Sequence, residues 1–233
     1  MARVLENGNV RNEVRVVLLC LLKLIQGYLR FADWWRPCKA SMALKFHPKT
    51  EKIVELMLYL AHKRPDADKY QAVKFFYLAD REHLIRHGRP ITFENYYAME
   101  YGPVASTVLD VLNGKLGAVK AAGINELPFE TEAGRTPDGK YATTFIRKPL
   151  REVDYDLFSK SDLKVFDEVL EKYRNASFND LFIATHEHYA WYHAWNNRKF
   201  GERAEMYYEE MIDDEAKRAA LVEDIGPVSA NMR

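Results

Sequence analysis

Cysteine is almost missing from this chain. Its 233 residues hold two, Cys20 and Cys38, and both lie in the first 41. The other four-fifths has neither a disulfide framework nor a cysteine-based zinc site, and a reducing cytoplasm is the simplest compartment. Net charge is missing as well. Lys plus Arg number 34 and Asp plus Glu number 34, which argues against a general polyanion binder. No apolar run is long. The longest, Val16 to Leu22, is broken by Lys23 and Gln26 and falls short of the ~20 residues that span a bilayer. Its basic start and apolar middle suit a secretion signal, but no small-x-small cleavage site follows; an interfacial helix is the other membrane-related option. A phosphate-binding loop is absent too. "GKLGAVKAAG" lacks the Lys-Ser/Thr ending and follows no strand, and no serine nucleophile elbow occurs.

What remains is the composition of a folded body, 48% hydrophobic and 29% charged, sized for one domain of ~150–200 residues plus extensions. The ends carry opposite charge. Residues 1–41 hold seven basic residues against three acids, and residues 201–224 hold nine acids against three bases. "MALKFHPKTEKIVELMLYLA" at Met42 looks like the start of a domain. Residues 1–41 therefore read as an extension from an upstream start codon or a non-native addition. Residues 42–200 read as the domain, and 201–233 as an acidic helix and tail.

Periodicity organises the body. A helix is expected from about Pro48 to His62, with Ile53, Leu56, Met57, Leu60 and Ala61 on its buried face. A second starts at Asp68, where Asp68 and Gln71 resemble a capping box, and stops at Gly88-Arg-Pro90. In it, Asp80-Arg81-Glu82 reads as a solvated, internally paired face. From Ile91 to Tyr101 the period is two, with Ile91, Phe93, Tyr97, Met99 and Tyr101 on one face; a short strand and an extended loop both fit. Gly102 permits a sharp change of direction. Pro103 suits the first turn of a helix running to Asn113-Gly114, with Glu100 beside its N-terminus. "FETEAGRTPDGKYATTFIRK" reads as a β-hairpin with oppositely charged arms. Ser159 with Asp162, and Ser177 with Asp180, signal two more helix starts. Another helix is expected beyond Gly201, fraying at Gly226-Pro227. The sum is a mainly α (α+β) fold, a multi-helix domain with a small hairpin or short sheet.

"THEHYAWYHAW" is the stretch that tempts a catalytic reading. Two metal ligands on one helix face want spacing i, i+4, as in His-Glu-x-x-His, but His186-Glu187 is followed by His188. On one continuous helix His186 and His193 lie ~10 Å apart along the axis, too far for one zinc. A metal-dependent hydrolase using His186, His188 and His193 stays a distant alternative. The bland reading is polar histidines at a helix junction beside Trp191 and Trp195. Basic and aromatic residues mix in "KYQAVKFFYLADREHLIRHGR" without a sustained basic stripe, so nucleic acid is not the expected partner.

The segments "KIVELMLYLA", "KFFYLADREHLIRHGRPITFENYYAMEYGPV" and "THEHYAWYHAW", in that order, resemble the SocA-like, or Panacea, antitoxin family, which includes phage-associated GepA-like proteins. The resemblance covers roughly Thr50 to Trp195. It implies a mostly helical, non-enzymatic, cytoplasmic domain with no cofactor and no small-molecule substrate, which neutralises a cognate protein toxin encoded beside it. An alternative is a proteolytic adaptor that delivers the toxin to a ClpXP-type protease. Tyr and Trp are abundant in these segments and recur as interface anchors. They also serve as core, so Arg81, Tyr96, Glu100 and Tyr101, together with His186, Glu187 and Trp191, are expected to line one groove that either fixes the domain shape or meets the toxin.

Overall fold

Two helices form the centre of the fold, each buried along most of its length, charged side chains included. The computed structural model describes residues 44–136 and 138–232; the extension expected over 1–41 falls outside them. Helix α1 (Thr50–Lys63) buries the expected stripe, and Val54, Leu58 and Tyr59 besides. Helix α2 (Lys69–His87) opens with the expected capping box. Asp68 accepts from the Gln71 N–H, and Gly88 closes the helix in the left-handed region at φ 72°. Its burial is far wider than one stripe and takes in Lys74, Asp80 and His83.

The segment after α2 departs from the expectation. Only Tyr96–Met99 is a strand, β1, and the buried pair is Tyr96 and Ala98, with Tyr97 and Met99 half-buried. The alternation breaks upstream because Phe93 takes φ 58°. A left-handed non-glycine residue costs ~1–2 kcal/mol. Fixed hydrogen bonds on both sides hold this one, as shown below. Gly102 and Pro103 do not start a helix. They lie in β2 (Gly102–Ala105), which pairs antiparallel with β1, Met99 opposite Gly102 and Ala98 opposite Pro103. The reversal is a two-residue hairpin turn, Glu100-Tyr101, and Pro103 is tolerated because β2 is an edge strand, paired with β1 alone. Helix α3 (Ser106–Leu112) begins only afterwards. Glu100 is therefore exposed in a turn and away from any helix N-terminus.

A short helix α4 (Gly117–Ala121) leads to the expected hairpin, β3 (Phe129–Arg135) with β4 (Ala142–Pro149). Arg147 pairs with Glu132 across it at 2.7 Å. The hairpin is tied to the helical core by the Ile146 N–H, which donates to the Ala67 carbonyl at 2.9 Å. Buried Glu55 of α1 accepts both Arg151 terminal nitrogens, at 2.8 and 2.7 Å.

Helices α5 (Lys160–Lys172) and α6 (Phe178–His186) both begin with the expected capping boxes. Helix α7 (Tyr189–Asn196) follows after a break at Glu187-His188. The acidic segment beyond Gly201 is not one helix. It gives β5 (Arg203–Glu205) on the free side of β1, a 3-10 turn (Tyr208–Met211), and α8 (Glu215–Ser229). Helix α8 does not fray at Gly226-Pro227. Pro227 lies inside the helix and lacks the N–H that would donate to the Glu223 carbonyl, yet the helix continues to Ser229, whose hydroxyl donates to the Gly226 carbonyl at 3.0 Å.

Candidate functional site

Three buried carboxylates fix the frame that presents the surface. Asp80, expected on a solvated face, is 0% exposed. Its Oδ1 accepts the N–H groups of Ile91 and Thr92 at 2.8 and 2.9 Å; Oδ2 accepts the hydroxyls of Thr92 and Tyr96, and lies 3.3 Å from the Tyr208 hydroxyl, whose nearer acceptor is the Glu94 carbonyl at 2.7 Å. Burial pushes its pKa up, and the donors only partly offset that. Glu94 serves α3, which has no side-chain cap of its own. It accepts from the Thr107 N–H (2.9 Å), the Val108 N–H (3.3 Å) and the Thr107 hydroxyl (3.0 Å). Burial raises its pKa to about 7. Between these two carboxylates the strained Phe93 has little freedom to relax. Asp162, expected only as a cap, also receives Lys52 (2.7 Å), Arg89 (2.9 Å) and His83 (3.1 Å). Burial favours its neutral form, but the His83 and Lys52 contacts outweigh this and hold the carboxyl far below the usual range.

The motif segments converge at the β1–β2 turn. The Trp191 Nε1–H donates to the Met99 carbonyl at 2.9 Å. His186 Nε2 lies 3.2 Å from the Glu100 carbonyl, and its Nδ1 lies 2.7 Å from the Phe182 carbonyl. Burial lowers the His186 pKa, and a neutral ring has a single N–H, so one of these contacts is a hydrogen bond at a time. Gly102, at φ 98°, fits where no side chain would. A Cβ there would stand 2.7 Å from Lys74 Nζ and 3.0 Å from both His186 Cε1 and Thr185 Oγ1. Lys74 is buried, donates to the Pro103 carbonyl at 2.8 Å, and lies 5.0 Å from the Tyr70 ring centre. Burial holds its amine well below the ordinary lysine range. Tyr-Gly-Pro and Thr-His-Glu thus form one clasp.

Outside the clasp runs a ladder of rings. Tyr70 stacks on Phe178 at 4.4 Å, Phe178 on Phe182 at 6.1 Å, and Phe182 on His186 at 3.6 Å. Trp191 follows at 3.9 Å from His186, and Trp195 at 6.0 Å from Trp191. Tyr101 meets Phe178 edge-on at 6.1 Å. Tyr101, Phe178 and Ile183 remain 49%, 53% and 48% exposed. Isolated exposed apolar residues are ordinary, but adjoining aromatic ones with a polar border mark interaction surfaces.

Of the residues expected in one groove, Glu100, Tyr101, His186 and Trp191 come together, with exposed Glu187 at the end of α6. Tyr96 does not join them; it is 1% exposed and bonded to Asp80. Arg81 pairs with Asp213, whose other oxygen accepts the Tyr189 N–H at 3.1 Å, so it meets the start of α7 through that carboxylate and makes no direct contact in the clasp. Phe178, Phe182 and Ile183 were missed, although the i, i+4 spacing of Phe178, Phe182 and His186 along one helix face was readable. The three histidines take different partners. His188 Nδ1 contacts the Tyr77 hydroxyl at 3.1 Å, with its pKa pushed down to about 4 by burial, and His193 Nδ1 contacts Glu210 at 2.8 Å. Among the described residues, no group of three or more His, Cys, Asp or Glu is placed to hold a metal ion. No described helix is long and apolar enough to cross a membrane.

Comparison with known families gives one match. The model described as antitoxin SocA-like, Panacea domain, covers residues 73–192. That span runs from within α2 into α7 and contains the clasp and the ladder from Phe178 to Trp191, with Tyr70 and Trp195 just outside it. No curated protein and no solved structure matches the chain.

Proposed function

The chain belongs to the SocA-like, Panacea-domain antitoxin family, and from that premise we propose that it neutralises a neighbour-encoded protein toxin by direct binding at the aromatic ladder. Membership points to a toxin–antitoxin role with a protein partner and to a non-enzymatic way of working. The observation that carries the finer reading is the exposure of Tyr101 and Phe178, which meet edge-on beside the clasp, with exposed Ile183 on the same helix as Phe178. Large rings buried on association are the usual anchors of a protein interface, each worth ~2 kcal/mol or more at a hot spot. Here they stand on a rigid base. The β1–β2 turn is gripped by His186 and Trp191, and α6 is fixed by its capping box. A preorganised surface loses little side-chain freedom on binding, which favours affinity.

Rescue in cells is the test. The adjacent open reading frame is expressed from an inducible promoter, with this chain supplied in trans. Wild type restores growth; Phe178→Ala with Ile183→Ala does not, while its thermal midpoint stays near that of wild type. A double variant that folds and still rescues fully would remove the ladder from the mechanism. Wild type that fails to rescue would remove direct neutralisation itself.

A further inference from the structure

We infer that the ladder is shaped for a partner segment carrying arginine or lysine among apolar side chains. This rests on the reading of the chain as a partner-binding antitoxin and names the chemistry of what it binds. The first observation is charge. The chain has 34 Lys and Arg, yet residues 96–105 and 175–197, which build the hairpin, α6 and α7, contain none. They contain Glu100, Asp180 and Glu187, all exposed. Asp180 is used within its capping box, accepting the Ser177 N–H at 2.8 Å. Glu100 and Glu187 make no side-chain hydrogen bond or ion pair among the described residues. The neighbouring cations are already engaged: Arg174 pairs with Glu171, Arg198 lies 3.6 Å over the Trp195 ring centre, and Arg203 of β5, opposite Met99, lies 4.6 Å over the Tyr97 ring centre. Among the described residues, Glu100 and Glu187 are left as unpaired negative charge beside the rings, and such charge selects an opposite partner.

The second observation is that this ladder already accepts a cation on a ring face. At its α7 end the Arg198 guanidinium lies 3.6 Å over the Trp195 ring centre. Farther along it Phe178 and Tyr101 leave ring surface in solvent. A guanidinium laid on such a ring with a carboxylate within reach gains attraction from the π face and from the charge together. The flanking Ile183 and Phe182 suit the aliphatic stem of the same side chain, or an apolar neighbour of it.

Two short fluorescent peptides test this with the full chain, by anisotropy. They have equal length and apolar content; one is studded with arginine and the other with glutamate. The arginine peptide is expected to bind at least about tenfold tighter, and to weaken as salt rises from about 0.05 to about 0.3 M. Glu100→Lys with Glu187→Lys removes the preference, and Glu100→Gln with Glu187→Gln reduces it. Phe178→Ala with Tyr101→Ala weakens the arginine peptide by about tenfold or more. Glu223→Lys with Asp224→Lys on α8, a control of equal charge change, leaves it intact. Equal affinity for the two peptides, no binding of either, or a preference that survives charge reversal would each overturn the inference. Wild type that binds the arginine peptide yet fails to rescue in cells would instead count against neutralisation.

Discussion

Tyr96 and Tyr101 stand at the two ends of one short hairpin and have opposite fates. Tyr96 is sealed in the core with its hydroxyl 2.9 Å from Asp80; Tyr101 is half in solvent against Phe178. Around Tyr96 every polar group on Asp80 is matched by a donor from a distant segment. Around Tyr101 the rings are stacked and the nearby carboxylates of Glu100 and Glu187 are open to water. The first region is architecture and the second is surface, and the same motif supplies both. Tyrosine richness alone therefore says nothing about binding. What separates the roles is whether the hydroxyl meets a buried acceptor.

The difference can be broken in graded steps. Asp80→Ala strips four buried donors of their acceptor, the Tyr208 hydroxyl keeping the Glu94 carbonyl at 2.7 Å, and is expected to cost about 3–5 kcal/mol of stability, read as a lower urea midpoint. A midpoint within error of wild type would show that the sealed region is not sealed. Gly102→Ala forces a side chain into a left-handed position against Lys74 and His186, at a cost of about 2–4 kcal/mol. Because it disturbs the clasp between the regions, it is expected to lower both stability and toxin rescue. Tyr96→Phe removes one hydroxyl from Asp80 and should cost about 1–2 kcal/mol without changing rescue. Phe178→Ala is the mirror case: about 1 kcal/mol or less in stability, but a clear loss of rescue.

The smallest effect is a pH difference. The folded pKa of Glu94, about 7, lies above its ordinary value of 4.5, so the folded state binds the proton more tightly. Its contribution to stability grows as pH falls from above the folded value toward the ordinary one. His188, depressed to about 4, works in the opposite sense as it gains its proton. The difference between wild type and Glu94→Gln isolates the carboxyl. Wild-type stability relative to the variant should rise from about pH 8 to about pH 5. A flat difference would mean that the Thr107 and Val108 donors keep Glu94 ionised throughout.

Much of the fold was legible where the signal is local. The capping boxes at Asp68, Ser159 and Ser177, the left-handed Gly88 and the β3–β4 hairpin all follow from residues within a few positions of one another. The failures share one cause. Asp80 looks like a surface charge because its donors come from residues 91–96 and from Tyr208. Pro103 looks like a helix start because the strand that captures its segment is specified by pairing. The acidic stretch after Gly201 looks helical, but its beginning is recruited as β5 by the open side of β1. In the groove, four of the expected residues meet, whereas Tyr96 and Arg81 are drawn to Asp80 and Asp213.

The sequence by itself determined the helices, their caps, the mainly α class and, through the order of its motifs, the family. Periodicity and capping are interactions between near neighbours, and a near neighbour is written in the chain. Only the tertiary structure decided which carboxylates are buried, which tyrosine is core, and which rings line one surface. Those outcomes depend on groups brought together across more than a hundred residues, as Asp80 and Tyr208 are. Burial reverses the preferences of a charged or aromatic side chain according to whether such a partner arrives.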